Sequence, residues 1–232
     1  MINNIKGIIF DADNTLIDHK ECEKQALQYL FTQIGEKYQN EYQNIFRPLD
    51  KELWQNAALN KNEIPPEQIP EYRFKVLFEK IHIPYKDYKN ANLLFRYGLE
   101  HSSGLTPNAE EILEYLSLKD YKLFVISDGL SKIQKSRIAN NNIDKYFIDI
   151  IVSEEVGVPK PNPIIFNTLL EKNNLNPKDV IMVGDSLEKD ISGAKNANIK
   201  SIWYNPEHII NNTGIKPDFE INDLLELKEL IL

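Results

Sequence analysis

Ile5-Lys6-Gly7-Ile8-Ile9-Phe10-Asp11-Ala12-Asp13-Asn14-Thr15-Leu16 is the stretch on which the fold turns. An apolar run of strand length ends abruptly in two carboxylates two residues apart. The run does not alternate with polar residues, so it predicts a strand over 5–10 that is buried on both faces. Four similar runs follow at 121–126, 147–152, 180–183 and 201–204. Each is rich in Ile, Val, Phe or Tyr and is closed by Asp, Ser, Gly or Asn. Helical patterns separate them. Thr106-Pro107 reads as N-cap and first helical residue before Ile112, Leu113 and Leu116. Asn162-Pro163 repeats that signal before Ile165, Phe166, Leu169 and Leu170, and 188–197 is a short amphipathic segment. Strands alternating with helices predict an α/β fold. Its core is a Rossmann-like, mostly parallel sheet with helices on both faces.

The first crossover breaks the rhythm. About 110 residues separate Phe10 from Tyr121, far more than one connecting helix needs. That stretch holds helix-like segments at 21–34, 67–81 and 87–101, and Pro65-Pro66 and Pro70 mark a break within it. The simplest account is an all-helical domain at 17–96, inserted into a core built from 1–16 and 97–232.

Composition narrows the function. Lys+Arg number 27 and Asp+Glu 35, giving a net charge of −8, which argues against nucleic acid and polybasic membrane surfaces as partners. No apolar stretch approaches the ~18 residues of a membrane span, and the N-terminal apolar run is too short for a signal peptide. The single cysteine, Cys22, allows no intrachain disulfide. The expected setting is the cytoplasm, with a monomer or weak dimer as the assembly.

The remaining polar signals fall where the predicted strands end. The first strand delivers Asp11 and Asp13. The second ends in Ser127-Asp128-Gly129. The third leads to Val158-Pro159-Lys160-Pro161-Asn162, in which two prolines stiffen the backbone around one long cation. The fourth ends in Gly184-Asp185-Ser186, with Asp190 close behind. Taken singly, each reads as ordinary turn, cap or surface chemistry. Taken together, acid, hydroxyl, lysine and acid meet at the carboxyl ends of strands, where open α/β sheets build their ligand crevice. An EF-hand reading of Asp11–Cys22 fails, because Leu16 and Cys22 stand where that loop needs Gly and Glu. The four histidines are scattered without metal-ligand spacing, and Trp203 reads as a core residue.

Asp11-x-Asp13-x-Thr15, Ser127, Lys160 and Gly184-Asp185-Ser186-x-x-x-Asp190 resemble the four motifs of the haloacid dehalogenase superfamily. The resemblance spans the whole chain, with the helical insertion matching that family's cap. Val152-Ser-Glu-Glu-Val-Gly-Val-Pro-Lys-Pro-Asn162 is similar to the third-motif loop of its pyrimidine 5′-nucleotidases. Leu53-Trp54 and Arg73-Phe74 resemble that subgroup's cap pattern. The resemblance implies a phosphate-monoester hydrolase. In it Asp11 is the nucleophile and metal ligand, Asp13 the general acid/base and main-chain ligand, and Asp185 a further ligand to Mg²⁺. Ser127, Asp128 and Lys160 face the substrate phosphate, with Lys160 also catalytic. Thr15 and Asp190 support the site, and Trp54, Arg73 and Phe74 are candidates for holding a nucleoside monophosphate under the cap. At 128 many members carry Asn, and an Asp beside a phosphoryl group is unfavourable unless it points away.

Other readings are a phosphatase or phosphomutase for a sugar phosphate, and a catalytically silent phospho-acceptor or interaction module. A dehalogenase would not need the second carboxylate, Asp13. A response-regulator receiver also combines Asp, Mg²⁺ and Lys, but it is roughly half this length and has no cap.

Overall fold

The computed structural model describes residues 5–59, 61 and 64–231. In chain order its main elements are β1 (Gly7–Phe10), α1 (His19–Gln33), α2 (Asn40–Ala58), α3 (Ile69–Lys80), α4 (Tyr88–Glu100), α5 (Ala109–Leu118), β2 (Lys122–Ser127), α6 (Ser131–Asn140), β3 (Phe147–Val152), α7 (Ser153–Val156), α8 (Pro163–Lys172), β4 (Val180–Gly184), α9 (Ser192–Asn196), β5 (Lys200–Tyr204), β6 (Phe219–Ile221) and α10 (Leu227–Leu230). The six strands form one parallel sheet in the order β3-β2-β1-β4-β5-β6. The chain moves outward from β1 to β3 and then returns to the other side of β1. The strand order therefore reverses at β1 and β4, which is the switch point of a doubly wound sheet.

The five expected strands are present. β1 and β4 are continuous apolar runs buried throughout, whereas the edge-side β3 is interrupted by Asp149 and leaves Ile148 exposed. Ile9, Phe124, Ile126 and Met182 pack on one face against Ile165, Phe166 and Leu169 of α8 and Ala194 of α9. Helix α5 buries Ile112, Leu113 and Leu116 and packs against β2. The sixth strand, β6, was not expected. Its three residues are too short to show a period, and its edge position is set by pairing with β5.

Helix starts are mixed. Asn162 accepts from the Ile164 N–H at 3.0 Å with Pro163 next in line, as its sequence suggests. Thr106 does not cap α5. Its hydroxyl donates to the Thr15 carbonyl at 2.7 Å, and the helix starts two residues later behind Asn108, which has φ 63°. Thr106 thus ties down the loop after β1 instead of starting a helix.

The chain divides into two compact units, one from the described residues up to His19 and from Ser103 onward, the other from Lys20 to Ser102. The second unit is helical, comprising α1–α4. The expected boundary at 96/97 falls inside α4, which has no breaker there and runs on to Glu100. The helical unit has its own core of Leu27, Leu30, Phe31, Phe46, Phe74, Phe78 and Phe95. Within the described residues no helix is long and apolar enough to cross a membrane.

Gly98 lets α4 approach α1 closely. A Cβ there would lie 2.7 Å from the Ala26 Cα, a contact with backbone that cannot swing aside. Gly98→Ala is therefore expected to destabilise the helical unit by about 1–3 kcal/mol despite alanine's better helix propensity. Thermal unfolding and amide exchange in α1 and α4 would show it; a gain in stability would contradict the close approach.

Candidate active site

Asp11 is the first residue beyond β1, and its N–H donates to the Val183 carbonyl at 2.9 Å. The carboxylate is thereby set at the switch point, between the ends of β2 and β4. It is buried, as are Lys160 and Asp190. The Lys160 ammonium donates to Asp11 Oδ1 at 2.5 Å, to Asp190 Oδ1 at 2.8 Å and to the Ile126 carbonyl at 3.1 Å. All three of its protons are used. Burial alone would push the lysine down, but Asp11 and Asp190, with Asp128 behind them, outweigh it and raise its pKa.

Asp190 reaches this position by folding back over the end of β4. It lies on a single π-helical turn, 187–191, and its Oδ2 accepts from the Ser186 N–H at 3.0 Å. Gly184 makes room: a Cβ there would lie 2.4 Å from the Asp190 carboxyl carbon. Asp185 is held through its backbone, its carbonyl accepting from the Trp203 indole N–H at 2.9 Å. Trp203 is buried, as expected of a core residue, but it also ties the β4 loop to β5.

Asp11, Asp185 and Asp190 can bring carboxylate oxygens within 4.8 Å of one another. Three carboxylates face one ammonium, which leaves the cluster short of positive charge. Burial raises the Asp11 pKa well above the ordinary range, and Asp190 and Asp185 add to it against Lys160. Burial, then Asp190, pushes Asp185 up to about 7. Asp190 is already satisfied by Lys160 and a backbone N–H. The oxygens left for a hard divalent cation are those of Asp11 and Asp185, a donor set that suits Mg²⁺.

Asp13 sits in a different environment. Its Oδ2 accepts from Arg137 Nη2 and from Gln134 Nε2, both at 3.0 Å, and its Oδ1 lies 2.7 Å from Arg137 Nη1. One arm of the guanidinium therefore hydrogen-bonds the carboxylate and the other approaches Oδ1 as an ion pair, leaving Oδ1 without a hydrogen-bond partner among the described residues. The Nδ1 of His19 lies 3.3 Å from Asp13 Oδ1 and 3.2 Å from Arg137 Nη1. Arginine only donates, so the arginine contact needs an unprotonated Nδ1 and the aspartate contact a protonated one. Burial would raise the Asp13 pKa; Arg137 first and His19 second hold it well below the usual range.

Ser127 is buried at the end of β2. Asp128 turns one oxygen to the Lys160 N–H at 3.0 Å, and the other lies 3.4 Å from Lys189 Nζ. It braces the Pro-Lys-Pro loop, whose Lys160–Pro161 bond is cis. The Thr15 hydroxyl is buried with no hydrogen-bond partner among the described residues. In the helical unit, the Phe74 ring is wholly enclosed by Phe46, Phe78 and Phe95. Arg73 packs over those rings and bonds Asp50 at 2.9 Å and Asn92 at 3.1 Å. These two cap candidates are therefore core residues here, committed to holding α2, α3 and α4 together. Trp54 is the exposed one of the three, at 42%, while Arg73 is half-buried.

Arg137, Gln134 and His19 were not singled out in the sequence. A signal existed for two of them. Ile133 and Ile138 fix the inward face of α6, and helical spacing puts Gln134 and Arg137 on that same stripe. Polar residues on a core-facing stripe require buried partners.

Residues 8–204 match the family model described as haloacid dehalogenase-like hydrolase. The chain belongs to this family. It is similar to the pyrimidine 5′-nucleotidase PynA of Streptococcus pneumoniae, at 30% identity over 95% of this chain and 94% of that one. It is also similar to the pyrimidine 5′-nucleotidase YjjG of Escherichia coli, at 31% identity over 97% and 96%. The crystal structure of the putative HAD-hydrolase YfnB of Bacillus subtilis bound to magnesium superposes with a TM-score of 0.89 at 26% identity, covering 98% of this chain and 99% of that one. This chain is thus an enzyme of the hydrolase class.

The raised Asp185 pKa gives a stability prediction with a definite sign. A carboxyl that ionises near 4 when unfolded and about 7 when folded holds its proton more tightly in the folded state. Metal-free stability should therefore fall as pH rises from about 4 to about 7. A divalent cation relieves that penalty only where the carboxyls are ionised. Excess Mg²⁺ should raise the melting temperature more at about pH 8 than at about pH 5.5. An equal rise at both, or none, would contradict the charge deficit.

Proposed function

We propose that this hydrolase cleaves phosphate monoesters through an aspartyl-phosphate on Asp11, with Mg²⁺ as cofactor and nucleoside 5′-monophosphates as substrates, pyrimidines favoured. The observation that carries the reading is the Asp11–Lys160 pair at the switch point with Asp13 two residues on. One acid is neutralised as an acceptor and the other is placed apart from it to move protons. Support for the substrate class comes from the two pyrimidine 5′-nucleotidases, which match this chain over nearly their whole lengths.

Bound Mg²⁺ would supply positive charge at the phosphoryl oxygens, held by Asp11 and Asp185 with the Asp13 main-chain carbonyl. An Asp11 oxygen attacks phosphorus as the bond to the leaving oxygen breaks. Asp13 gives that oxygen a proton. Water then attacks the same phosphorus, giving its proton back to Asp13. The bond to Asp11 breaks, and inorganic phosphate leaves. Lys160 offsets the charge on Asp11 throughout, while Ser127 donates its hydroxyl to a phosphoryl oxygen. The helical unit acts as the cap that sees the rest of the substrate. The phosphate-binding residues cannot tell one monoester from another, so discrimination has to come from outside them.

Arg73 and Phe74 are bound up in the helical core, so two of the three cap features behind the nucleotide reading lose their direct role. This favours keeping a small sugar phosphate as the second reading. The test is phosphate release from UMP, dUMP, dTMP, AMP, UTP and several sugar phosphates under one Mg²⁺ concentration. The monophosphates are expected to exceed UTP, with pyrimidines ahead of AMP by about tenfold, the equivalent of ~1.4 kcal/mol. A sugar phosphate ahead of every nucleotide by that margin would leave only the general phosphatase reading.

A further inference from the structure

Arg137 is the largest fully buried side chain among the described residues, and the four family motifs do not include it. A lone buried guanidinium is costly. Here the Asp13 carboxylate meets its charge, while Nη2 also donates to Gln134 Oε1 at 2.6 Å. Gln134 in turn donates from Nε2 to Asp13 and to the Asp128 carbonyl, the latter at 2.7 Å. The carboxylate is thus held at Oδ2 by one arm of the guanidinium and a braced amide, both on α6. The Nδ1 of His19 lies 3.3 Å from Oδ1, and the Asp13 side chain stays 26% exposed.

This arrangement suits one of the two tasks proposed for Asp13. A carboxylate paired with a guanidinium and accepting its N–H is ionised, an acceptor only with no proton to give. As a base it needs a fixed direction, because a proton is taken efficiently only within hydrogen-bond reach of a positioned water. We propose that Arg137, braced by Gln134, is a positioning residue that sets Asp13 in the pose used to deprotonate water in the second half-reaction. In that step a water O–H bond breaks and its proton goes to Asp13. The water oxygen bonds to phosphorus, and the phosphorus–oxygen bond to Asp11 breaks. Asp13 serves as acid in the first half only when turned away from Arg137. The inference rests on the aspartyl-phosphate reading above.

The distinguishing readout is the split between kcat and KM. Slowing only the step after the covalent intermediate lowers kcat and KM together and leaves kcat/KM unchanged. General damage to the site lowers kcat/KM. Arg137→Lys keeps the charge and loses the planar guanidinium that reaches Asp13 and Gln134 from the same Nη2. With a chromogenic aryl phosphate and Mg²⁺ it is expected to lose about tenfold or more in kcat, with kcat/KM held within about twofold and a burst of about one leaving group per site. In an Asp13→Asn background the same change should cost nothing further, since the residue it positions has gone. Equal falls in kcat and kcat/KM, or the same loss in both backgrounds, would overturn the inference. If Arg137→Lys does not fold, Gln134→Met, which removes the brace, is expected to show the same split at smaller size, and its absence would be equally decisive. Wild-type turnover in Asp13→Asn would instead bring down the underlying phosphatase reading. An inactive Asp13→Asn beside an unaffected Arg137→Lys would remove this inference alone.

Discussion

The structure of the site depends on one buried ammonium. Lys160 sits among Asp11, Asp190 and the end of β2, and each of its protons has an oxygen. Remove that charge and the remaining carboxylates face one another in a place from which water is excluded. Breaking a buried pair in this way costs roughly 3–5 kcal/mol. Much of the local backbone follows from the need to deliver that cation. Pro159 and Pro161 flank it, Asp128 holds its N–H, and Gly184 gives Asp190 room to fold back toward it. Asp11, Lys160 and Asp190 come from three separate loops. They meet because the parallel sheet brings the carboxyl ends of β1, β3 and β4 to one edge.

Two acids two residues apart are thereby given opposite characters. Asp11 lies in a cluster short of positive charge, where burial and neighbouring acids favour its protonated form until a cation arrives. Asp13 lies against Arg137 and is kept ionised. Environments that push paired carboxyls apart are the usual way one fold assigns different roles to like groups. Here the separation arises from the turn after β1. The Ile17 N–H returns to the Ala12 carbonyl and the Thr106 hydroxyl holds Thr15, so the two side chains leave the loop in different directions.

The sheet was legible in the sequence because its largely buried strands are written as runs dominated by Ile, Val and Phe, even where Asp149 interrupts β3. The acids and the lysine were legible for the same reason, since they begin where the runs stop. The clamp on Asp13 was not. Arg137 and Gln134 lie in a helix of low apolar content, where a polar residue reads as solvent-facing unless Ile133 and Ile138 are used to orient it. His19 acquires its neighbours only through the loop that precedes α1. Arg73 and Phe74 show the opposite failure. A motif likeness marked them as substrate-facing, whereas an aromatic core of Phe46, Phe78 and Phe95 absorbs both. β6 was invisible because a three-residue edge strand is fixed by its neighbour and not by its own pattern.

The central claim is that phosphorus is transferred to Asp11. The most direct measurement is to quench the working enzyme in acid, reduce it with borohydride and map the peptides. An acyl phosphate is reduced to an alcohol where a free carboxyl is not, so homoserine at position 11, dependent on substrate, is the predicted result. An unmodified Asp11 during turnover, or homoserine arising from any other aspartate, would contradict the account.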